Sequence, residues 1–535
     1  MKVEQLHGPR VKSFQVLELE YLLQEDAPEL FFSFGLQRGG QMVLTRAPAR
    51  LDIMGGIADY CGANVFEMTL NRTAIAACQA REDRNLCAIT LRAGDQFKPN
   101  FHLSLDSFYT NGTLKTYSQI RECFSEEPGT EWTGYILGAF YVLLRESRID
   151  QFPHGATIVI KSDIPIGGGV ASSAAIEVAT LMAINQLYGL ELDAMEIARL
   201  AQIVENRIVG APCGIMDQVT AAAGTSTKIL SILCQPDKIL EFVACPLNVN
   251  FVGIYTKVRR STTSTAYIDT RTGTFMGLTI LKAAFSAEAQ KNGTKVSNTS
   301  VPFSGFHHEG CDPMTSESEA DFDAEEGSIA RRISEALADN YLCNLSVQDF
   351  RQQCEHRLPE QMHGAEFLDT YGETVDTATQ VDPEKSYAIR SRVQHAVYEN
   401  ERVRRFIAAI KNADKDSERI QDYLTEAGNL MYESNASYRD FAGLGSREVD
   451  GLVNIARKIG GQGGIYGAKI TGGGGGGTVA LLCHGNVENS LTQILAAYKL
   501  AWGIDGELIR GNAAGAFEFG HILWELKELE PPTHF

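Results

Sequence analysis

The chain has no run approaching twenty uncharged apolar residues, which excludes a membrane-spanning helix. It is short of cations: 48 Lys and Arg stand against 67 Asp and Glu, a formal net charge of −19. Nucleic acid or an anionic membrane surface would require clustered Lys and Arg, so neither is expected as a partner. The cysteines, 11 in 535 residues, show no paired metal-type spacing and read as reduced thiols of a cytoplasmic protein. The opening MKVEQLHGPRVKSF lacks the apolar core of a signal peptide. Sequons such as Asn71-Arg72-Thr73 are then chance matches. No internal period repeats, which excludes a solenoid. The Walker pattern GxxxxGK[ST] is absent, which excludes a P-loop nucleotide site.

An apolar fraction of 44% and a charged fraction of 21% belong to a water-soluble globular chain, and 535 residues exceed one ordinary core, so two or three domains are expected. From about residue 42 to 92, short β-rich runs such as TAIAACQA and NLCAITLRA alternate with polar breaks, as in a mixed sheet. TIVIKSDIPIGGG reads as a strand, Thr157 to Lys161, leading into a glycine loop. SSAAIEVATLMAINQLYG then sets Val178, Leu181, Met182, Asn185 and Tyr188 at helical spacing and stops at Gly189. A second helix starts at Asp193, with Glu196 completing a capping pattern and Ile197, Leu200, Val204 and Ile208 as its apolar stripe. Residues of about 287–328 are polar, broken and increasingly acidic, an inserted loop with little to bury. Long amphipathic helices dominate Lys385 to Lys458, and KITGGGGGGTVALLC reads as strand, glycine turn, strand.

The stretch IPIGGGVASSAAIEVA, Ile164 to Ala179, sets three glycines directly against a helix start. A helix N-terminus exposes unpaired N–H groups and partial positive charge, so it holds anions without basic side chains. Gly167, Gly168 and Gly169 let the backbone approach a phosphate closely. Ser172 and Ser173 either cap the helix or offer an oxygen to Mg²⁺. The run Gly472 to Gly477 formally contains GxGxxG, but a β-run follows it rather than a helix, so it is no dinucleotide fingerprint. Asp217 sits among Cys213, Gly214, Ile215 and Met216, where an acid is either turned to solvent or held for chemistry. Glu205 lies at the edge of an apolar helix stripe, an odd place for a merely solvated carboxylate. Around Arg50 and Asp59, RAPARLDIMGGIADYCGANV reads, taken singly, as a strand and turn with solvated charges.

Taken together, RAPARLDIMGGIADYCGANV, IPIGGGVASSAA and KITGGGGGGTVALL, in this order, resemble the three motifs of the GHMP family of small-molecule kinases. The resemblance covers roughly residues 43–285 and 385–520. CGIMDQ and VRRSTTSTAY match the galactokinase branch, and GGIADYCG…VENRIVGAPCGIMDQVTAAAG…ILCQP matches most of all the arabinokinases within it. It implies an α+β, two-domain GHMP kinase fold: an N-terminal domain with a left-handed βαβ unit, a ferredoxin-like C-terminal domain, and an active site between them. The expected boundaries are an N-terminal arm at 1–41, an ATP-binding domain at 42–245 and a C-terminal domain at 246–535 carrying the acidic insert. The large extra N-terminal domain of plant arabinokinases has no counterpart in these residues.

Carried over position by position, Pro165, Gly167, Gly168, Gly169, Ala171, Ser172, Ser173 and Ala174 would cradle the ATP phosphates. Ser173 and Glu205 would meet Mg²⁺. Asp217 would be the catalytic aspartate with Arg50 beside it, and Asp59, Gly56, Tyr267, Gly473 and Gly474 would face the sugar. Arg259 and Arg260 read as solvated. The chain departs from galactokinases at Gly56-Ile57, where they carry Glu-His to hold the hydroxymethyl arm of galactose, an arm that L-arabinose lacks. Ala171 replaces a frequent Ser, Ala266 a frequent Glu, and Gly475 the common Phe of the third motif. The implied activity is phosphorylation of the anomeric hydroxyl of L-arabinose by MgATP. A galactose or uronic-acid 1-kinase and a non-catalytic sugar sensor are the alternatives. The expected assembly is a monomer or weak homodimer.

Overall fold

The computed structural model describes residues 2–9, 14–26, 32–33, 35–37, 39–91, 97–259, 264–291 and 319–527. Two long antiparallel strands, Gln41–Met54 and Asn64–Ala80, form the spine of the molecule where the sequence suggested several short runs. They run on past Pro48, which cannot donate to a ladder, because the register shifts between Pro48 and Arg50 and again between Asp52 and Met54. The far edge of Asn64–Ala80 is shared: its first residues pair with Lys228–Cys234 and its last with Ala156–Ser162. Ala156–Ser162 continues parallel to Asn85–Thr90, and the crossover between them carries the helices Tyr117–Ser125 and Gly134–Arg145.

This nine-stranded sheet takes in both chain ends. Lys2–His7 pairs with His521–Lys527, which pairs with the start of Gln41–Met54. Lys2–His7, from the expected arm at 1–41, and His521–Lys527, from the expected C-terminal domain at 246–535, are thus strands of the first lobe's sheet. Ile522, Trp524 and Leu526 alternate inward and bury against it, so the last described strand belongs to the N-terminal sheet. Behind the sheet, the Ser172–Tyr188 helix is buried without interruption from Glu177 to Asn185, where the spacing suggested one apolar stripe. It is a central helix covered by sheet and neighbouring helices alike.

The second sheet follows a β-α-β-β-α-β course through Val249–Tyr255, Ile465–Ile470, Thr478–His484 and Glu507–Ile509. All its pairs are antiparallel, in the order Ile465–Ile470, Thr478–His484, Val249–Tyr255, Glu507–Ile509, which is the ferredoxin-like arrangement. The helices Thr265–Lys291, Glu319–Ala336, Arg390–Lys415, Ile420–Asp440 and Arg447–Ile459 fill its first crossover. Of the expected insert at 287–328, residues 292–318 lie outside the described residues, while its flanks belong to helices, up to Lys291 and from Glu319. No helix among the described residues is long and apolar enough to cross a membrane, and no disulfide joins the described cysteines.

Candidate active site

The glycine loop leaves Ala156–Ser162 and curls into the central helix. Gly167 (φ 68°), Gly169 (φ 73°) and Ala171 (φ 59°) all take the left-handed conformation, a strained choice for Ala171. A Cβ on Gly168 would stand 2.9 Å from the Pro165 side chain and 3.0 Å from its carbonyl oxygen. The helix starts with no side-chain cap, so neither Ser172 nor Ser173 serves as one. Instead Ser173 Oγ donates to Glu205 Oε1 at 2.7 Å. An uncapped N-terminus beside a loop too tight for side chains fits phosphate oxygens.

Two glycines of the third motif, Gly472 and Gly477, pack against this loop and the arginine beside it. A Cβ on Gly477 would lie 2.7 Å from Gly168 O, and one on Gly472 would lie 2.8 Å from the Arg50 guanidinium. Thr478 Oγ1 donates to Gly168 O at 2.7 Å. Gly473 and Gly474 are buried, Gly474 against Leu444 and Tyr438, whereas Gly475 is exposed with open space beside it.

Arg50, 1% exposed, gathers the site. Its Nε and Nη2 reach Asp217 Oδ1 at 2.8 and 2.7 Å, and its Nη1 donates to Gly169 O at 2.7 Å. Burial works against its charge, but Asp217, Glu67 and Asp52 more than offset this and hold the guanidinium above its ordinary pKa. Asp217 is in the first turn of Met216–Ala223 and keeps 19% of its side chain exposed, which leaves an open face on an otherwise closed cluster.

Glu205 sits on a π-helical turn, Val204–Val209, that continues the capped Ala194–Ile203 helix. Such turns re-aim side chains at functional sites, and this one turns the carboxylate inward at 2% exposure. Its Oε2 accepts from Gln218 Nε2 at 2.8 Å. Burial, with a contribution from the Asp217 charge, pushes it up to about 7 against the hydrogen bonds from Ser173 and Cys213. Ser173 Oγ and the Glu205 oxygens make a donor set of the kind Mg²⁺ uses with phosphates, which needs only one or two protein oxygens.

On the other side of Asp217 lies Asp59, within a tight turn, Gly56–Cys61. Its Oδ1 accepts from the Tyr60 N–H at 2.7 Å, and a Cβ on Gly214 would stand 1.8 Å from its Oδ2, so only glycine fits there. Burial, and then the charge of Asp217, push Asp59 up to about 7. Tyr267, 5% exposed, meets the Tyr60 ring edge-on at 6.4 Å. Gly56, φ 48°, is pressed by Tyr438: a Cβ there would stand 1.6 Å from the Tyr438 hydroxyl oxygen. A larger residue at 56 is therefore excluded by packing as well as by whatever the turn faces. Arg259 is exposed, and Arg260 lies outside the described residues.

Sequence reasoning passed over several residues of this cluster. Asp52 and Lys469, both 0% exposed, form an ion pair at 2.8 Å between the two lobes. Arg271 is buried, paired bidentately with Asp376 at 2.8 Å, stacked over Tyr60, and donates to the Cys213 carbonyl at 3.1 Å. Glu67 lies 3.4 Å from Arg50 Nε without a hydrogen bond, and burial followed by the Asp52 charge pushes it well up. Asp52 sits between Leu51 and Ile53 and Lys469 between Ala468 and Ile470; a charge flanked by apolar residues in a β-run was the available signal.

The chain is similar to known proteins along both lobes. Residues 134–225 match the model of the GHMP kinases N terminal domain, 407–500 that of the GHMP kinases C terminal, and 33–80 the galactokinase galactose-binding signature. The chain is similar to the L-arabinokinase of Arabidopsis thaliana, at 32% identity over 516 residues, 90% of this chain and 47% of that protein. It thus spans about half the length of that relative. It is also similar to a galactokinase of Chloroflexus aggregans, at 27% identity over 86% of this chain and 89% of that protein. In fold it matches the Lactococcus lactis galactokinase complexed with galactose, with a TM-score of 0.62 at 21% identity over 94% of this chain and 100% of that one. With matched models on both lobes, a galactokinase fold and its three motifs folded against one another, the chain belongs to the GHMP kinase family.

Proposed function

We propose that the protein is an ATP-dependent sugar 1-kinase, with L-arabinose as the acceptor. The observation that carries this reading is the convergence on Arg50: it binds Asp217 on one side and the carbonyl of Gly169, in the phosphate-type loop, on the other. An acid and an anion cradle sharing one guanidinium is the arrangement phosphoryl transfer needs, since that reaction consists mainly of positioning and charge stabilisation. The residues from Pro165 to Ala174 hold the triphosphate. Mg²⁺, held by Ser173 and Glu205, supplies charge neutralisation on the phosphates.

Asp59, Tyr267, Gly56, Gly473 and Gly474 form the sugar side. Asp217 accepts the proton of the anomeric hydroxyl as its oxygen bonds to the γ-phosphorus, the bond to the bridging oxygen breaks, and ADP leaves. Arg50 holds Asp217 in place and steadies the transferring group. The choice of a pentose draws on the Arabidopsis relative and on Gly56-Ile57, which offer no polar side chain to a further hydroxyl. The resemblance to galactokinases keeps galactose on the panel.

The test is a panel of L-arabinose, D-galactose and uronic acids with MgATP, read by coupled ADP release and by product identity. L-Arabinose 1-phosphate as the fastest product is expected, while sugar and ATP binding without ADP release would overturn the reading in favour of a sensor. Asp217→Asn should abolish turnover and leave ATP affinity near wild type; full activity would refute the role of Asp217.

A further inference from the structure

We propose that Asp52, Lys469 and Tyr438 are positioning residues for this reaction, a buried clamp that joins the two lobes and sets the phosphate wall and the sugar wall together. The inference rests on the kinase reading above. Asp52 is fully buried, and each of its oxygens is occupied. Oδ2 accepts from Lys469 Nζ at 2.8 Å and from the Gly472 N–H at 2.8 Å, and Oδ1 accepts from the Gly56 N–H at 3.1 Å. Its own N–H donates to Thr471 Oγ1 at 2.9 Å. Tyr438, on the Ile420–Asp440 helix, closes the ring: its hydroxyl donates to Gly472 O at 2.7 Å and accepts from the Ile57 N–H at 2.9 Å. Lys469 Nζ lies 5.3 Å from the centre of the Tyr438 ring.

These bonds end on two loops that border the chemistry. Gly472 stands directly against the Arg50 guanidinium and the Gly169 carbonyl, so its position limits where Arg50 can lie. Gly56 and Ile57 open the turn that carries Asp59. Arg50 and Asp52 are two apart on one strand and share a face, so a shift of Asp52 is passed to Arg50 through the backbone as well. Stability alone does not call for such a pair, because apolar residues of equal volume in a buried site are commonly as stable or more so. What apolar residues cannot do is accept the N–H groups of Gly472 and Gly56. The carboxylate is there for those two loops, and Lys469 keeps it ionised in a dry environment: burial pushes Asp52 up, but Lys469 and Arg50 hold it below its ordinary pKa.

The experiment compares wild type with Asp52→Asn/Lys469→Met, Lys469→Arg and Tyr438→Phe, measuring kcat, KM for sugar, KM for ATP and thermal melting. The double variant removes both charges together, so it avoids stranding either one. It should melt close to wild type yet lose about 100-fold in kcat, the scale of a misplacement of about 1 Å, with KM for both substrates raised. Tyr438→Phe removes both hydrogen bonds of the hydroxyl, so it should lose at least about tenfold in kcat and melt somewhat lower, because the Ile57 N–H and the Gly472 carbonyl are left unpaired. Lys469→Arg, which keeps the charge, should recover most of the activity. A folded double variant with wild-type kcat and KM overturns the clamp. If wild type itself phosphorylates no sugar, the kinase reading fails, and calorimetric titration with MgATP decides the clamp: weaker binding by the double variant upholds it, equal binding overturns it.

Discussion

Replacing Asp59 by Asn should make the folded protein more stable at neutral pH while removing its activity. The Asp59 carboxyl is desolvated and faces the charge of Asp217, with the Tyr60 N–H as its local hydrogen-bond donor. In the folded chain it keeps its proton to about pH 7, against 3.8 for an unperturbed aspartate. Between these values the folded state binds a proton that the unfolded state has released, so stability falls as pH rises and levels off above about 7. A raise of about 3 units is worth about 4 kcal/mol. An asparagine carries no charge to desolvate, and its oxygen still accepts from Tyr60. The variant should therefore melt near wild type at about pH 4.5 and about 8 °C above it at pH 8, if a domain-sized unit unfolds. Its sugar turnover should be absent at every pH, and wild-type turnover should rise as pH passes through about 7. Melting curves across this range decide the matter. A difference that does not grow between pH 4.5 and 8, or a variant less stable than wild type at pH 8, refutes the assignment of Asp59 as an acid held at a cost to the fold.

Three further perturbations separate the parts of the site. Gly477→Ala puts a methyl 2.7 Å from Gly168 O at a φ of 87°, so it should cost about 2–4 kcal/mol and weaken ATP binding, measured by denaturation and titration. Gly475→Ala, in the same run at φ 74° with open space around it, should cost only the left-handed backbone penalty of about 1–2 kcal/mol and leave ATP affinity alone. Glu205→Gln keeps the size of the side chain but loses its charge; turnover should fall by about 100-fold and a Mg²⁺ titration should shift to higher concentration. Unchanged Mg²⁺ dependence would remove Glu205 from the metal site.

The motifs were legible because they are local. A glycine loop against a helix start, a capping box at Asp193 and Glu196, and a strand–turn–strand around six glycines each follow from neighbours along the chain. What could not be read was pairing at long range. Arg50 and Asp217 are 167 residues apart and Asp52 and Lys469 are 417 apart, so no periodicity ties them. The charges in RAPARLDIMGG looked solvated singly because burial of an ion depends on a partner the local sequence does not contain. The place of His521–Lys527 in the first lobe's sheet is hidden for the same reason: its alternation marks a strand but not the sheet it joins.

The interior of this site contains more acids than bases, and the distribution is ordered. Asp52 has Lys469, and Asp376 has Arg271; both are held below their ordinary pKa despite burial. Asp59, Glu67, Glu177 and Glu205 have no cation to themselves, and all are pushed up. Burial is common to both groups, so the dedicated partner decides the direction. Acids of the first kind fasten loops to one another. Acids of the second kind surround Asp217 and the mouth of the phosphate-type loop, where a resting chain keeps them neutral by protonation. Positive charge brought to Glu205 would displace that proton and stabilise the carboxylate together with the phosphates it accompanies. Proton release on binding MgATP, greatest below about pH 7 and reduced in Glu205→Gln, is therefore expected in calorimetry run in buffers of different ionisation enthalpy. Heats independent of the buffer at pH 6 would mean that the nucleotide and its metal bind without engaging this carboxylate.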